Sequence, residues 1–390
     1  MSSTGAYLDY AATTPMRPEA VAAMAPFLSA NFGNPSGGHA ISRAAKTALE
    51  EARETVADAL GASPREVVFT AGGSEADNLA VKGAARAARE TGLGDRVVTV
   101  GFEHKAVLAS CDRLERDGFR VTRVHAGRDG LVDLSALEDA LDDRTVLVSV
   151  MLVNNEIGTI QPLEAVSELV RARAPRAVLH TDAVQAVPWL DVRGATKPAQ
   201  LVSISAHKFG GPKGTGALVV RGVVPLEPLI EGGGQEQGLR SGTSDVAGAV
   251  AMAAALEATV AAREADGARI AAMRDRLVDG LLASISGSFE NGNRARKVAG
   301  NAHVGFEGVE AEALLVMLDT AGVCAAAGSS CSSGATEPSH VLEAMGVPRD
   351  AALSSVWLSL GYPSVDRDVD VALAVVPEAV AKLRAAGTFT

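Results

Sequence analysis

The chain has 390 residues, of which 47% are hydrophobic and 21% charged, and its formal net charge is −11. This length exceeds what one hydrophobic core organises, so two domains of an ordinary globular protein are expected. The acidic balance argues against direct binding of nucleic acid or of an anionic membrane. No bilayer-spanning segment and no signal peptide is predicted, and three cysteines without paired spacing suit the reducing cytoplasm.

Short β-branched runs alternate with helical patterns in the first two-thirds of the chain. The runs predict strands at 66–70, 96–100, 145–150, 177–181, 201–205 and 215–220, and the intervals predict helices at 74–90, 105–117 and 162–173. Alternation of this kind builds a largely parallel sheet with helices on both faces. Ligands of such sheets bind at the carboxyl ends of the strands.

A long helix is predicted next, from about 246 to 285, because Ile270, Met273, Leu277 and Leu281 recur at helical spacing. Beyond it, strands are predicted at 301–306 and 354–359, and helices at 311–318 and 366–385. This mixture indicates a second, α+β domain. We therefore expect a larger domain of residues 16–260 and a smaller one made of residues 1–15 and 261–390.

Lys208 follows directly after the strand predicted at 201–205, within Ser-Ala-His-Lys-Phe-Gly-Gly-Pro-Lys-Gly at 205–214. Lysine forms Schiff bases with carbonyl cofactors, and partial burial lowers its pKa for that task. Taken alone, a solvated lysine beside a turn is the commoner explanation of this pattern. A phosphate loop is a further alternative, but the Walker spacing of glycine and lysine is absent.

Three more polar groups come at the ends of predicted strands. Gly73 and Ser74 open a helix, where backbone N–H groups bind phosphate or where the serine simply caps the helix. Asp182 suits a protonated pyridine nitrogen, although an aspartate at a strand end is more often a cap. His104 can stack on a flat ring or move protons, although an isolated histidine is more often a turn residue. Their joint position at one edge of the sheet predicts a site for an aromatic phosphate cofactor.

Together with longer motifs, these segments resemble the NifS/IscS-type cysteine desulfurases of the class V aminotransferase superfamily. The motifs are Tyr-Leu-Asp-Tyr-Ala-Ala-Thr-Thr-Pro at 7–15, Asn-Asn-Glu-Ile-Gly at 154–158, Arg-Ser-Gly-Thr at 240–243 and Glu-Pro-Ser at 337–339. The resemblance covers nearly the whole chain. It implies an α/β protein of PLP-transferase fold type I, with a mainly parallel seven-stranded sheet in a large domain and a smaller α+β domain.

The same resemblance implies an activity: a pyridoxal 5'-phosphate (PLP) enzyme that converts L-cysteine to L-alanine and passes the sulfur to an acceptor protein. Lys208 would hold PLP covalently, His104 would stack on the ring and move protons, and Asp182 would pair with the pyridine nitrogen. No metal is implied. The remaining cofactor contacts would come from Gly73, Ser74, Ser205 and His207 at the phosphate and from Asn155 and Gln185 near the ring hydroxyl and the substrate.

Three further residues take their roles from the resemblance. Thr243 would reach the phosphate of the neighbouring subunit, which implies a homodimer with shared active sites, and Asn34 would lie near the substrate carboxylate. Cys331, in Gly-Ser-Ser-Cys-Ser-Ser-Gly at 328–334, would receive the sulfur as a persulfide on a mobile loop, and its small polar neighbours predict that mobility. Cys324 is better suited to a structural thiol, and Cys111 has no expected role.

One position departs from the family pattern. The family strand Ser-Ser-Ile-Arg-Phe-Ser-Leu-Gly carries an arginine that binds the substrate carboxylate, and Trp357 takes its place here. An indole has one N–H donor and no charge, so it cannot replace a bidentate guanidinium. Three explanations stay open: another arginine such as Arg349 takes over, the substrate has changed to that of a different PLP lyase or a selenocysteine lyase, or Trp357 is an engineered replacement. A catalytically poor scaffold for a sulfur-accepting partner is a further alternative.

Overall fold

A computed structural model describes residues 5–328 and 337–387 of the chain. Twelve strands are present in this part: β1 (Ala6–Tyr7), β2 (Val67–Thr70), β3 (Arg96–Val100), β4 (Arg120–Val124), β5 (Thr145–Ser149), β6 (Val178–Asp182), β7 (Leu201–Ser205), β8 (Gly216–Val220), β9 (Ser288–Glu290), β10 (Asn301–Phe306), β11 (Val323–Cys324) and β12 (Ser355–Ser359).

The same residues form thirteen α-helices: α1 (Pro18–Met24), α2 (Ala40–Leu60), α3 (Gly73–Asn78), α4 (Ala84–Glu90), α5 (Lys105–Arg116), α6 (Leu134–Ala140), α7 (Leu163–Arg173), α8 (Val192–Ala195), α9 (Val246–Ser284), α10 (Ala311–Thr320), α11 (His340–Ala344), α12 (Arg349–Leu353) and α13 (Asp366–Ala386). A π-helical turn at Leu79–Gly83 joins α3 to α4, so the helix predicted at 74–90 is continuous but not regular.

The central sheet has seven strands in the order β2-β8-β7-β6-β5-β3-β4. Neighbours from β7 to β4 pair in parallel, whereas β8 is antiparallel to both β2 and β7. Since only β8 is reversed, β2, β3, β6 and β7 all end at the same edge of the sheet. All six predicted strands are present. The sequence did not reveal β4, because its Arg-Val-Thr-Arg-Val pattern belongs to a partly exposed edge strand.

Two smaller sheets contain the remaining strands. A three-stranded sheet has the order β12-β10-β9, and β1 pairs with β11. These strands, with α10, α13 and the second half of α9, enclose a core cluster that includes Leu8, Leu277 and Val356. The helix α11 lies outside this cluster, because Val341 and Leu342 belong to the core beside the central sheet.

The helix α9 is long and apolar enough by composition to cross a membrane, but half of its most apolar stretch is buried inside the protein. It packs against α1, α2 and α13. The stripe of Ile270, Met273, Leu277 and Leu281 is buried, as the helical spacing predicted. In this structure α9 is a core helix that connects the two groups of sheets.

Candidate active site

A cavity of about 330 Å³ opens at the edge where the parallel strands end. The central sheet supplies most of its wall, and Ala11, Ala12 and Trp357 close the other side. The lining includes ten of the residues that the sequence singled out: Gly73, Ser74, His104, Asn155, Asp182, Gln185, Ser205, His207, Lys208 and Trp357.

Lys208 ends a short 3₁₀ turn directly after β7. Its ammonium nitrogen Nζ donates hydrogen bonds to the backbone carbonyl oxygens of Ala11 at 2.6 Å and Ala12 at 2.9 Å. Burial lowers the pKa of Lys208 to about 8, although the carboxylates of Asp182 and Asp9 oppose this shift. A lysine with this pKa has about a tenth of its population as free amine at pH 7, far more than an ordinary lysine, and the free amine is the form that attacks a carbonyl group.

Asp182 ends β6 and faces the cavity from a buried position. Burial raises its pKa, while His104, the backbone N–H of Val184 and Lys208 lower it. His104 precedes α5, and its ring nitrogen Nδ1 accepts a hydrogen bond from the Ala106 N–H at 3.1 Å. One side-chain oxygen or nitrogen from each of Asp77, His104 and Asp182 lies within 4.8 Å of the other two. Such a set suits a cation, either a metal ion or a protonated ring nitrogen.

The opposite end of the cavity suits an anion. The turn between β2 and α3 places Gly72 at the cap position with φ of +128°, a conformation that glycine tolerates, and the helix begins at Gly73. The capping role considered for Ser74 is therefore wrong. A Cβ atom at Gly73 would lie 2.9 Å from Cγ2 of Val184 and 3.3 Å from Cβ of Ser205, so a side chain there would crowd both neighbours.

His207 lies near this turn and is uncharged. Burial lowers its pKa to about 4, and the charge of Lys208 adds to this effect. Its ring nitrogen Nδ1 lies 3.1 Å from the hydroxyl oxygen of Thr13. A neutral imidazole, the Ser205 and Ser74 hydroxyls and the open backbone at Gly73 together offer hydrogen-bond donors without a fixed charge.

The wall formed by β12 is poor in charge. The indole nitrogen of Trp357 and Oδ1 of Asp9 are both buried, and the indole N–H interacts with the Asp9 carboxyl group. Burial raises the pKa of Asp9, and the indole N–H of Trp357 lowers it. No arginine lines the cavity within residues 5–328 and 337–387. Arg349 begins α12, where it is exposed, and it does not contribute to the lining.

Three predicted site residues do not line the cavity. Asn34 is exposed, and its side-chain oxygen accepts a hydrogen bond from the Ser36 N–H at 3.0 Å. Thr243 is also exposed. Cys331 lies outside the described residues. Of the other cysteines, Cys111 is buried, and burial raises its pKa to about 12, whereas Cys324 is half-buried.

Sequence reasoning overlooked Asp77, Met151 and the carbonyl groups of Ala11 and Ala12, all of which line the cavity or hold Lys208. A signal for Asp77 was available, because it lies four positions after Gly73 and therefore on the same helix face. The backbone carbonyls had no signal, since they belong to a segment that is distant in sequence.

The residues present fit PLP. The cavity has a lysine for the aldehyde, an acidic end for the pyridine nitrogen and a neutral donor-rich end for the phosphate. Two buried polar atoms of lining residues, Oδ1 of Asp77 and Oδ1 of Asn155, also have no hydrogen-bond partner among the described residues. Buried polar groups are normally satisfied, so these atoms indicate that a polar ligand completes the site.

Comparisons with known proteins agree with this geometry. The aminotransferase class-V family model matches residues 6–371. The chain is 48% identical to an IscS-like cysteine desulfurase of Mycobacterium tuberculosis, over 98% of both chains. Among solved structures, a NifS-like protein superposes with a TM-score of 0.91 at 34% identity, covering 97% of this chain and 100% of that one. SspA in complex with cysteine superposes with a TM-score of 0.80 at 34% identity, covering 92% and 100%. The chain belongs to the class V aminotransferase family and, within it, to the PLP-dependent cysteine desulfurases.

Proposed function

We propose that this enzyme converts L-cysteine to L-alanine and holds the released sulfur as a persulfide on Cys331, from which an acceptor protein takes it. The observation that carries the proposal is the position of Lys208, whose pKa is lowered to about 8 by burial and whose amine faces the same cavity as Asp182 and His104. When bound, PLP supplies a protonated pyridine ring that accepts the electron pair of the substrate Cα–H bond.

The residues that line the cavity would have separate roles in cofactor binding and proton transfer. Asp182 would place a negative charge next to the ring nitrogen, and Lys208 would hold the cofactor and carry the α-proton, with His104 assisting as a neighbouring base. Asn155 and Gln185 would bind the ring hydroxyl and the substrate; Gln185 is already oriented, because its amide donates to the Ala11 carbonyl at 2.9 Å. Gly73, Ser74, Ser205 and His207 would bind the phosphate.

The chain before Cys331 passes beside a residue that lines the cavity. Ala326 forms backbone hydrogen bonds with Trp357, of which the Trp357 N–H to the Ala326 carbonyl measures 2.8 Å. Trp357 itself lines the cavity. Gly328 is the last described residue before Cys331, three positions earlier, and an extended chain of that length spans at most about 11 Å. The Cys331 thiolate would attack the substrate sulfur, forming the S–S bond as the C–S bond breaks, and the carbon then takes a proton to give alanine.

Because Trp357 takes the place of the family arginine, we expect the substrate carboxylate to be bound weakly. The indole N–H of Trp357 is one neutral donor, so we propose that it contributes a single hydrogen bond where the family has a charged pair. Asn34 would have to approach from its exposed loop. The similarity to desulfurases over the whole chain gives no support to a changed substrate.

The surroundings of Thr243 support a shared active site in a homodimer. The loop before it carries Glu236, whose φ of +47° is rare for a residue other than glycine. Its carboxylate is held by a bidentate pair with Arg53 at 2.6 and 2.8 Å and by the Phe69 N–H at 2.9 Å. This anchoring presents Thr243 on the exterior, where a partner subunit would receive it. We further propose a cytoplasmic enzyme that meets neither a membrane nor a nucleic acid directly.

Product analysis tests the proposal. The purified enzyme should release alanine and, with added thiol, sulfide from L-cysteine in equal amounts. Cysteine sulfinate and selenocysteine are each tested as alternative substrates in separate reactions. Turnover of selenocysteine alone would identify a selenocysteine lyase, and binding of PLP without any turnover would identify a scaffold; either result would replace the desulfurase assignment.

A further inference from the structure

A chain of buried polar side chains crosses the central sheet behind the cavity. Ser149 on β5, His180 on β6 and Ser203 on β7 lie on adjacent strands, and each is fully buried. The Ser149 hydroxyl oxygen lies 2.9 Å from Nδ1 of His180, and Nε2 of the same ring lies 3.0 Å from the Ser203 hydroxyl oxygen. The three side chains therefore form a continuous hydrogen-bonded path inside the sheet.

Each end of this path is a buried carboxyl group. Glu103 accepts a hydrogen bond from the Ser149 hydroxyl at 3.0 Å. Asp77 lies at the other end, where the Ser203 hydroxyl contacts its carboxyl group and Oδ1 is 3.7 Å from Nε2 of His180. Asp77 lines the cavity beside Asp182, whereas Glu103 does not. Oδ1 of Asp77 and Oε2 of Glu103 have no partner among the described residues.

The carboxyl groups of Asp77, Glu103 and Asp182 lie too close together in this cluster for all three to be ionised at once. Burial raises the pKa of Glu103 to about 8, and the charge of Asp182 adds to the shift. Burial, Asp182 and Glu103 raise the pKa of Asp77. Burial also lowers the pKa of His180 to about 3, so its ring is neutral, with one donor and one acceptor nitrogen. The neighbouring cationic groups, Lys208 and His104, act on Asp182 rather than on Asp77 or Glu103.

We propose that Asp77 and Glu103 share one proton through Ser203, His180 and Ser149, and that the position of this proton sets the charge that Asp77 presents to the cofactor ring. The identity of that ring rests on the proposed function, whereas the shared proton is a property of the chain alone. Asp77 is thus a positioning residue that acts beside Asp182.

The proton moves without any net gain or loss. In the first arrangement Asp77 donates its proton to Ser203, Ser203 donates to Nε2 of His180, Nδ1–H donates to Ser149, and Ser149 donates to ionised Glu103. In the second arrangement every hydrogen bond is reversed, so that Glu103 is protonated and Asp77 is ionised. Each intermediate group gives one proton and takes one, and the total charge of the cluster stays the same.

Occupation of the cavity selects between the two arrangements. Above the pKa of Glu103, which is about 8, the pair holds one proton. Without a cation in the cavity this proton lies on Asp77, because an ionised Asp77 would repel the ionised Asp182 nearby. A protonated ring nitrogen offsets that repulsion, so the proton moves to Glu103 and two carboxylates then face the ring.

Infrared difference spectroscopy of the cofactor-free and PLP-loaded enzyme, at a pH above the pKa of Glu103, tests the relay, because the C=O stretch of a protonated carboxyl group lies at higher frequency than the amide and carboxylate bands. We expect loading to remove one such band and to create another. Asp77→Asn should lack the first band and Glu103→Gln the second, while Ser149→Ala should keep the first band and not lose it on loading. Ser167→Ala, which changes a buried serine of α7 outside the path, serves as the control and should match the wild type.

Infrared spectra of the wild-type protein without cofactor test for the shared proton even if a variant fails to fold. The absence of any protonated carboxyl band near neutral pH, or bands that persist in both Asp77→Asn and Glu103→Gln, would overturn the relay. Neither result bears on the desulfurase assignment, which product analysis tests separately. Conversely, an enzyme that binds no PLP would still show the Asp77 band if the shared proton exists.

Discussion

The two walls of the cavity differ in the charge that they offer a ligand. The wall formed by the central sheet holds Lys208, Asp182 and His104 at strand ends, with charges that act on one another. The wall formed by β12 holds Trp357, whose indole N–H interacts with the nearby Asp9, and it has no arginine among the described lining residues. On the proposed assignment, cofactor chemistry and substrate recognition would come from separate sheets, so that one could change while the other stays intact.

Removing the lysine from the first wall should have the largest effect. Lys208→Ala should abolish turnover and the adduct that borohydride fixes between PLP and the chain, because no other amine lines the described cavity. Mass spectrometry of the reduced protein measures this directly. Lys213→Ala is the matched control, since Lys213 lies in the same glycine-rich turn but is exposed. A reduced adduct that persists in Lys208→Ala would move the anchor to another lysine.

Removing the charge of Asp182 should have the next largest effect. A charge-assisted hydrogen bond contributes about 1.5–3 kcal/mol, so Asp182→Asn should weaken PLP binding and lower kcat by about ten- to a hundredfold. Titration of the cofactor-free protein with PLP and steady-state kinetics give the two values. Asp191→Asn, at an exposed aspartate, should change neither. Unchanged PLP affinity and kcat in Asp182→Asn would remove this residue from the ring site.

Restoring the family arginine on the second wall should improve binding. A bidentate guanidinium lies toward the upper part of the same energy range, so we expect Trp357→Arg to lower KM for L-cysteine by about tenfold or more, with a smaller change in kcat. Arg349→Ala should change KM little, because Arg349 does not line the cavity. A wild-type KM that does not respond to Trp357→Arg but rises in Arg349→Ala would show that Arg349 has replaced the missing group.

The smallest effect concerns the stability of the cofactor-free protein. Folded Lys208 releases its proton near pH 8, whereas lysine in the unfolded chain does so near 10.5. Between these values the unfolded state binds more protons, so this group makes the free energy of unfolding rise with pH. Lys208→Met lacks this pH-dependent contribution to the free energy of unfolding, which is about 3 kcal/mol at most. Its stability advantage over the wild type at about pH 7 should shrink by about pH 10, as measured by urea unfolding. A constant difference would contradict the lowered pKa.

The sequence predicted the wall formed by the central sheet much better than the wall formed by β12. Lys208, Asp182, His104 and Gly73 follow strands of a parallel sheet, and parallel strands end at one edge, so local patterns determine a joint position. Long-range contacts have no such local signal. The hydrogen bonds from Lys208 to Ala11 and Ala12 and the contact between Asp9 and Trp357 join segments about two hundred or more residues apart, and only the fold reveals them.

The polar path through the sheet was also not predictable. Ser149, His180 and Ser203 read as ordinary strand residues, and their contact depends on the order and register of β5, β6 and β7. The division into residues 16–260 and residues 1–15 with 261–390 stays a prediction. The core cluster around Leu8 and Val356 supports it, while α11, which packs beside the central sheet, would be an exception.

The central claim is that sulfur leaves L-cysteine and becomes attached to Cys331, and peptide mass spectrometry after exposure to L-cysteine tests it most directly. The account predicts one additional sulfur atom on the peptide that contains Cys331. It also predicts that Cys331→Ala binds PLP normally and gains no sulfur, while Cys324→Ala behaves as the wild type. Additional sulfur on Cys324 or Cys111, or alanine formation at the wild-type rate by Cys331→Ala, would contradict the account.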